Sequence, residues 1–222
     1  MIRAESNTRR VLVSVGLAIA LSACQTPFRG SLWRTPAPDD RAQAPATVGP
    51  SNTERIAELL VRHAPDLHPV DRARVAAAVE SAREDHHVDP LLLLAIIEQE
   101  SKFNPRASSP HGSIGLMQIK PFVARDIAKR HGIPWSGPRT LYDPAANVEI
   151  GASYLGEMLE MYPDPGLAIA AYNLGPYRVQ RIVARGQSPK SKYLTAVLAR
   201  FQTFSSEFGA IDAAADAEAG AE

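Results

Sequence analysis

Residues 91–97 read Leu-Leu-Leu-Leu-Ala-Ile-Ile, an unbroken apolar run followed directly by Glu98, Gln99, Glu100 and Ser101. Nothing else in the chain constrains its fold as strongly. A surface helix interrupts its apolar positions with polar ones, so a helix built on this run has no solvent face and must lie inside the molecule. Its start is marked by Asp89-Pro90. Aspartate caps a helix N-terminus, and proline suits the first helical position, where its missing N–H would find no partner anyway. At about 100° per residue, Glu98 and Glu100 point roughly 200° apart and cannot share a task. Glu100 falls one turn beyond Ile96 and Ile97 and two turns beyond Leu93, on the apolar side. A carboxyl held there has its charged form disfavoured and its pKa raised, which is the condition of a general acid at neutral pH.

The rest of the chain supplies the walls for such a helix. Its 222 residues allow one domain with appendages. Lys plus Arg equals Asp plus Glu at 24 each, so no basic excess points to nucleic acid. Cys24 is the only cysteine, which excludes an intramolecular disulfide and a cysteine-based zinc cluster. No stretch alternates like a strand and no internal repeat is present. The expectation is an all-α domain that folds on its apolar core alone.

The two ends read differently. Residues 1–23 open with Arg3, Arg9 and Arg10, and residues 11–21 are apolar apart from Ser14 and Gly16. That is short of the about 20 residues a membrane span needs, and predicts a signal peptide. It ends in Leu21-Ser22-Ala23-Cys24, which resembles the lipobox of bacterial lipoproteins. The resemblance implies that Cys24 is lipidated and becomes the new N-terminus, with multiple acyl chains giving a stable anchor. Gln25 stands where an Asp would favour the inner membrane, which leans toward the outer one. Residues 24–52, rich in Pro, Ala, Thr and Ser without periodicity, predict a flexible linker. Helical spacing begins at residue 53 and sets the domain at 53–208. Alternating Ala and acids over 209–222 predict a disordered tail. His86 and His87 close the second helix, and their expected role is a favourable interaction with its dipole. Adjacent helical residues diverge, and no carboxylate completes a metal ligand set.

Three blocks carry the chemistry. Glu100-Ser101 is followed, after a loop broken by Pro105, Pro110 and Gly112, by Gly115-Leu116-Met117-Gln118, and later by Ala171-Tyr172-Asn173. In this order they resemble the family 1 lytic transglycosylases, peptidoglycan-cleaving enzymes of goose-type-lysozyme fold, over about residues 88–198. The resemblance implies a single lysozyme-like helical domain that splits the bond between N-acetylmuramic acid and N-acetylglucosamine without water and leaves 1,6-anhydromuramic acid ends. It implies no metal and no cofactor. The implied partners are peptidoglycan glycan strands and, through Cys24, a membrane, with no nucleic acid and any envelope-complex partner left open.

Glycoside hydrolases usually need two carboxylates, yet Asp126, Asp143, Glu149 and Glu157 stand in no constellation that marks a second one. In the resembled family one glutamate performs both proton transfers, and Glu100 is the position that matches. The resemblance further implies that Ser101 orients the glutamate and contacts substrate, that Tyr172 hydrogen-bonds it, that Asn173 lines the acetamido pocket and that Tyr193 lies in the groove. From residue chemistry, Gly115 permits close backbone approach to a sugar, Met117 offers a pliable apolar wall, and Gln118 bonds hydroxyls or amides. Leu116 is expected in the core. One departure stands out: the Glu-Thr pair that many members carry before the last tyrosine is replaced by residues 188–192, Ser-Pro-Lys-Ser-Lys. The rivals are a goose-lysozyme-like hydrolase, which needs a second acid, and a non-catalytic wall-binding protein, which has no need of Glu100.

Overall fold

The computed structural model describes residues 50–189 and 192–219. The signal segment, Cys24 and the linker up to residue 49 lie outside the described residues. The described elements are α1 (Asn52–His63), α2 (Pro69–His86), α3 (Pro90–Ser101), α4 (Pro121–His131), a short 3-10 helix (Pro138–Tyr142), α5 (Pro144–Met161), α6 (Pro165–Leu174), α7 (Pro176–Val183) and α8 (Lys192–Ala219). Among the described residues there is no strand. Two isolated bridges, Ser108 with Ile114 and Ile114 with Ile119, pin the loop between α3 and α4.

Local chemistry fixes where the helices begin. Every element from α2 to α7 starts with proline. Asp89 accepts from the N–H groups of Leu91 and Leu92, Asp143 from Ala146 and Asp164 from Gly166, so Asp-Pro is the recurring start signal. At α1, Ser51 and Glu54 form a reciprocal capping box.

α3 is the central helix that its sequence requires. Leu93 to Ile97 are fully buried, with α8 packed along one side of the helix and α2 along another. Glu98 lies 3.8 Å from the Arg200 guanidinium, in the middle of α8, while Glu100 turns away into a groove and meets only the start of that helix. The two carboxylates are separated as helix geometry demands.

The C-terminal boundary differs from the sequence expectation. α8 does not stop near Phe208 but continues to Ala219. Ile211 is buried, Asp212 pairs with Arg55 of α1, Glu207 lies 2.9 Å from His63, and the Arg55 guanidinium sits over the Phe208 ring. These contacts with α1 order a segment whose composition alone reads as a frayed tail.

His86 also departs from the expectation of a cation at a helix end. Its Nε2 lies 2.9 Å from the Ser153 hydroxyl, and its ring meets His131 edge-on at 5.3 Å. Burial first, and then the charge of His131, push its pKa down. Its neutral form is favoured, and packing against α5 rather than the dipole holds it.

Candidate active site

Glu100 occupies the last turn of α3, with the chain leaving sharply beyond it. Lys102 and Phe103 both adopt left-handed backbone (φ 51° and 60°), unfavourable for residues with a side chain. Phe103 offsets that cost by being buried edge-on against Phe204 of α8 at 6.4 Å. This turn leaves the carboxyl lining a groove of about 1070 Å³. Loss of hydration raises its pKa from the ordinary 4.5 to about 7, against a smaller lowering by the hydrogen bond from Tyr193. The Tyr193 hydroxyl, from the start of α8, donates to Oε1 at 2.7 Å. Burial and the neighbouring Glu100 keep that phenol protonated.

Tyr193, not Tyr172, is therefore the tyrosine bonded to Glu100. Tyr172 is nearly buried on α6 and donates to the Met117 carbonyl at 2.8 Å, although it lies within electrostatic reach of Glu100. It ties α6 to the 115–118 loop. The exchange follows from tertiary packing: α8 crosses α3 at the level of Glu100, and Tyr172 faces the loop.

The same loop gives its residues jobs other than those expected. Gly115 has φ +82°, and a Cβ there would lie 2.2 Å from the Asn147 side chain and 2.3 Å from the Leu141 carbonyl. The glycine admits Asn147, not a sugar. Met117 is fully buried against Gly151 of α5, so it belongs to the core and forms no wall of the groove. Leu116 is core as expected. Gln118 does line the groove, with its amide nitrogen donating to the Ala107 and Gly115 carbonyls. Ser101 is turned away: its hydroxyl donates back to the Ile97 carbonyl at 3.2 Å, as serines in helices commonly do. Asn173, exposed on α6, lines the groove.

The residue that organises this loop is Asn147, fully buried on α5. Its Oδ1 accepts from the Met117 N–H at 2.8 Å, and its Nδ2 donates to the carbonyls of Ile114 (3.0 Å) and Leu141 (2.9 Å). One carboxamide thus bonds three backbone groups, two of them buried. In the sequence it is one polar residue in the first turn of a helix, and only its position facing Gly115 gives it this work.

Two further carboxylates line the groove. Glu157 is held by both nitrogens of the Arg130 fork (2.8 and 2.7 Å) and by His131 (3.0 Å), contacts that keep its pKa low despite burial. Asp126 is exposed and paired with Arg125. Asp143 caps α5 and pairs with Arg74. Among the described carboxylates, Glu100 alone combines a place in the groove with a raised pKa. Among the described residues no group of three or more His, Cys, Asp or Glu is placed to hold a metal ion.

The fold and the sequence both have known counterparts. The structure resembles a lytic transglycosylase from Pseudomonas aeruginosa (TM-score 0.56, 23% identity, 70% of this chain and 30% of that one) and the 70 kDa soluble lytic transglycosylase of Escherichia coli (TM-score 0.53, 25% identity, 72% and 30%). The fold is accordingly the all-α, lysozyme-like one. In sequence the chain is 44% identical over 89 residues to the soluble lytic murein transglycosylase of Escherichia coli K12, covering 39% of this chain and 14% of that protein. It is 37% identical over 115 residues to a membrane-bound lytic murein transglycosylase C of Haemophilus influenzae, covering 47% and 32%. The chain thus spans about a seventh to a third of the length of these relatives. Residues 77–195, which contain Glu100, the Asn147-held loop and Tyr193, match the family described as the transglycosylase SLT domain, and to that family this chain belongs.

Proposed function

We propose that the protein is a peptidoglycan lytic transglycosylase in which Glu100 is the sole acid and base. The observation that carries this reading is the Glu100 carboxyl, poised near pH 7 in an open groove. In its protonated form it delivers a proton to the glycosidic oxygen as the bond from C1 of N-acetylmuramic acid breaks. The resulting carboxylate then takes the proton of the muramoyl 6-hydroxyl, whose oxygen bonds C1 and closes the 1,6-anhydro ring. Glu100 ends protonated, no water is consumed, and no second carboxylate is needed. Tyr193, donating to Oε1, leaves Oε2 to carry the transferred proton and stabilises the carboxylate between the two transfers.

The saturation of Glu157 by Arg130 and His131 supports the lyase over a hydrolase, because a carboxylate with both oxygens engaged has little capacity to position an attacking water. Gln118 and Asn173 would meet sugar hydroxyl and acetamido groups. Ser101, Gly115, Met117 and Tyr172 would act indirectly, by holding the end of α3 and the loop against which Glu100 sits.

The chain would work on the periplasmic side of the envelope, tethered to the outer membrane through lipidated Cys24 and the 24–52 linker. The position of the sole cysteine after Leu21-Ser22-Ala23 supports this, as does a relative named as membrane-bound. Incorporation of labelled palmitate that vanishes in Cys24→Ser is the expected result. The test of the reaction is the mass of products from purified peptidoglycan: muropeptides ending in 1,6-anhydromuramic acid are expected, and reducing ends heavier by one water would assign a hydrolase instead.

A further inference from the structure

The groove that holds Glu100 is also lined by an aromatic side chain with no packing role. Tyr177, the second residue of α7, is 82% exposed, the most exposed of the large apolar side chains among the described residues, yet it lines the same groove as Glu100. Phe122, the second residue of α4, and Met161 at the end of α5 line it too, at 60% and 54% exposure. Exposed aromatics gathered in a concave, polar-rimmed surface mark a binding site, whereas isolated ones need no explanation.

The path from Glu100 to Tyr177 runs through packed side chains and one face of α5. Tyr172, within electrostatic reach of Glu100, meets the ring of Tyr154 at 5.3 Å. From Tyr154 the groove floor runs along one face of α5, through Met158 to Met161, at helical spacings of four and three. Seven residues at about 1.5 Å each place Met161 about 10 Å further on. There the Tyr162 hydroxyl donates to the Pro176 carbonyl at 2.9 Å, fixing the start of α7 beside this end of the floor. Tyr177 follows immediately, and Gln180, one turn on along the same face, also lines the groove. That stretch of α5 separates the part of the groove next to Tyr172 and Glu100 from the part next to Tyr162, Pro176 and Tyr177.

Resting on the glycan reading of the groove, we infer that Tyr177 forms a remote sugar subsite, stacking its ring on the apolar face of a pyranose distant from the bond being cleaved, with Gln180 bonding that sugar's polar edge. A pyranose presents C–H groups on its faces and hydroxyls at its rim. An exposed aromatic with a neighbouring amide complements both. Binding so far from the reacting centre makes Tyr177 a determinant of substrate length and leaves the proton transfers to Glu100.

The test is calorimetric titration of the full chain carrying Glu100→Gln with β-1,4-linked N-acetylglucosamine oligomers of increasing length, repeated with Tyr177→Ala or Tyr177→Phe added. Affinity is expected to step up once the oligomer reaches Tyr177. Tyr177→Ala should erase that step, an about five- to tenfold loss for long oligomers with none for short ones, and Tyr177→Phe should keep it. A step of equal size in the Ala variant overturns the subsite, as does a loss that is uniform across lengths. Neither result touches the proposed reaction, which stands or falls on the anhydro products of the unmodified protein.

Discussion

Burial of Glu100 has a thermodynamic consequence that can be measured without any substrate. Its carboxyl titrates at about 7 in the folded chain against an ordinary value of 4.5. Below pH 4.5 the group is neutral in both states and costs nothing. Between pH 4.5 and 7 the folded state retains a proton that the unfolded state has released, so stability falls as pH rises, and above pH 7 the full cost of a desolvated carboxylate is present. A difference of about 2.5 pKa units corresponds to about 3 kcal/mol. Glu100→Gln removes the charge, keeps the size and can still accept from Tyr193. The variant should match the wild type near pH 4 and exceed it increasingly up to pH 8, by about 3 kcal/mol. For a domain of this size that is about 6–12 °C in Tm. Thermal unfolding of both proteins, followed by circular dichroism at half-unit pH steps, reads this directly. The same variant should show no turnover, which sets function against stability at one residue. An offset in Tm that stays constant from pH 4 to pH 8, or a variant less stable than wild type at pH 8, would refute the claim that Glu100 is held protonated by desolvation.

Other residues make separate predictions. In the wild type, kcat/KM for peptidoglycan should fall tenfold per pH unit above about 7, as Glu100 loses its proton. Because the Tyr193 bond favours the carboxylate, Tyr193→Phe should move that alkaline limb upward by about half to one unit, with a lower kcat; an unmoved limb would detach Tyr193 from the reaction. Asn147→Ala strands the Met117 N–H and the Leu141 carbonyl, leaves Ile114 only its bond from the Ile119 N–H, and should cost about 2–4 kcal/mol in urea unfolding. Ending the chain at residue 208 removes the buried Ile211 and the Asp212 partner of Arg55 and should lower stability by about 2–3 kcal/mol, where a disordered tail would lower it by nothing.

What the sequence disclosed and what it withheld divide along a physical line. Signals confined to one element were legible: the apolar run of α3, the opposed directions of Glu98 and Glu100, and the Asp-Pro starts all depend on neighbours within a turn or two. The pairings across elements were not. Whether Tyr172 or Tyr193 reaches Glu100 depends on where α8 crosses α3, and both residues lie far from residue 100 along the chain. Asn147 shows no local sign of bonding a loop some thirty residues earlier, because an asparagine in a first helical turn is commonplace. The continuation of α8 was concealed by composition: Ala and acid alternate past Phe208, and only the buried Ile211 and the pairing of Asp212 with Arg55 of α1 distinguish that stretch from a frayed end. His86 misled for the same reason, its partners Ser153 and His131 coming from α5 and α4.

The proline that opens each element from α2 to α7 has an effect outside the folded structure altogether. At a position whose backbone geometry it fits, a proline narrows the conformations open to the unfolded chain, which stabilises the fold by about 0.4–1 kcal/mol per site. Seven such starts together approach what one cross-link across a long loop supplies, in a stretch of chain that contains no cysteine. The constraint is written into the covalent backbone and carries no redox chemistry. Residues 50–219 should therefore be equally stable in reducing and oxidising surroundings.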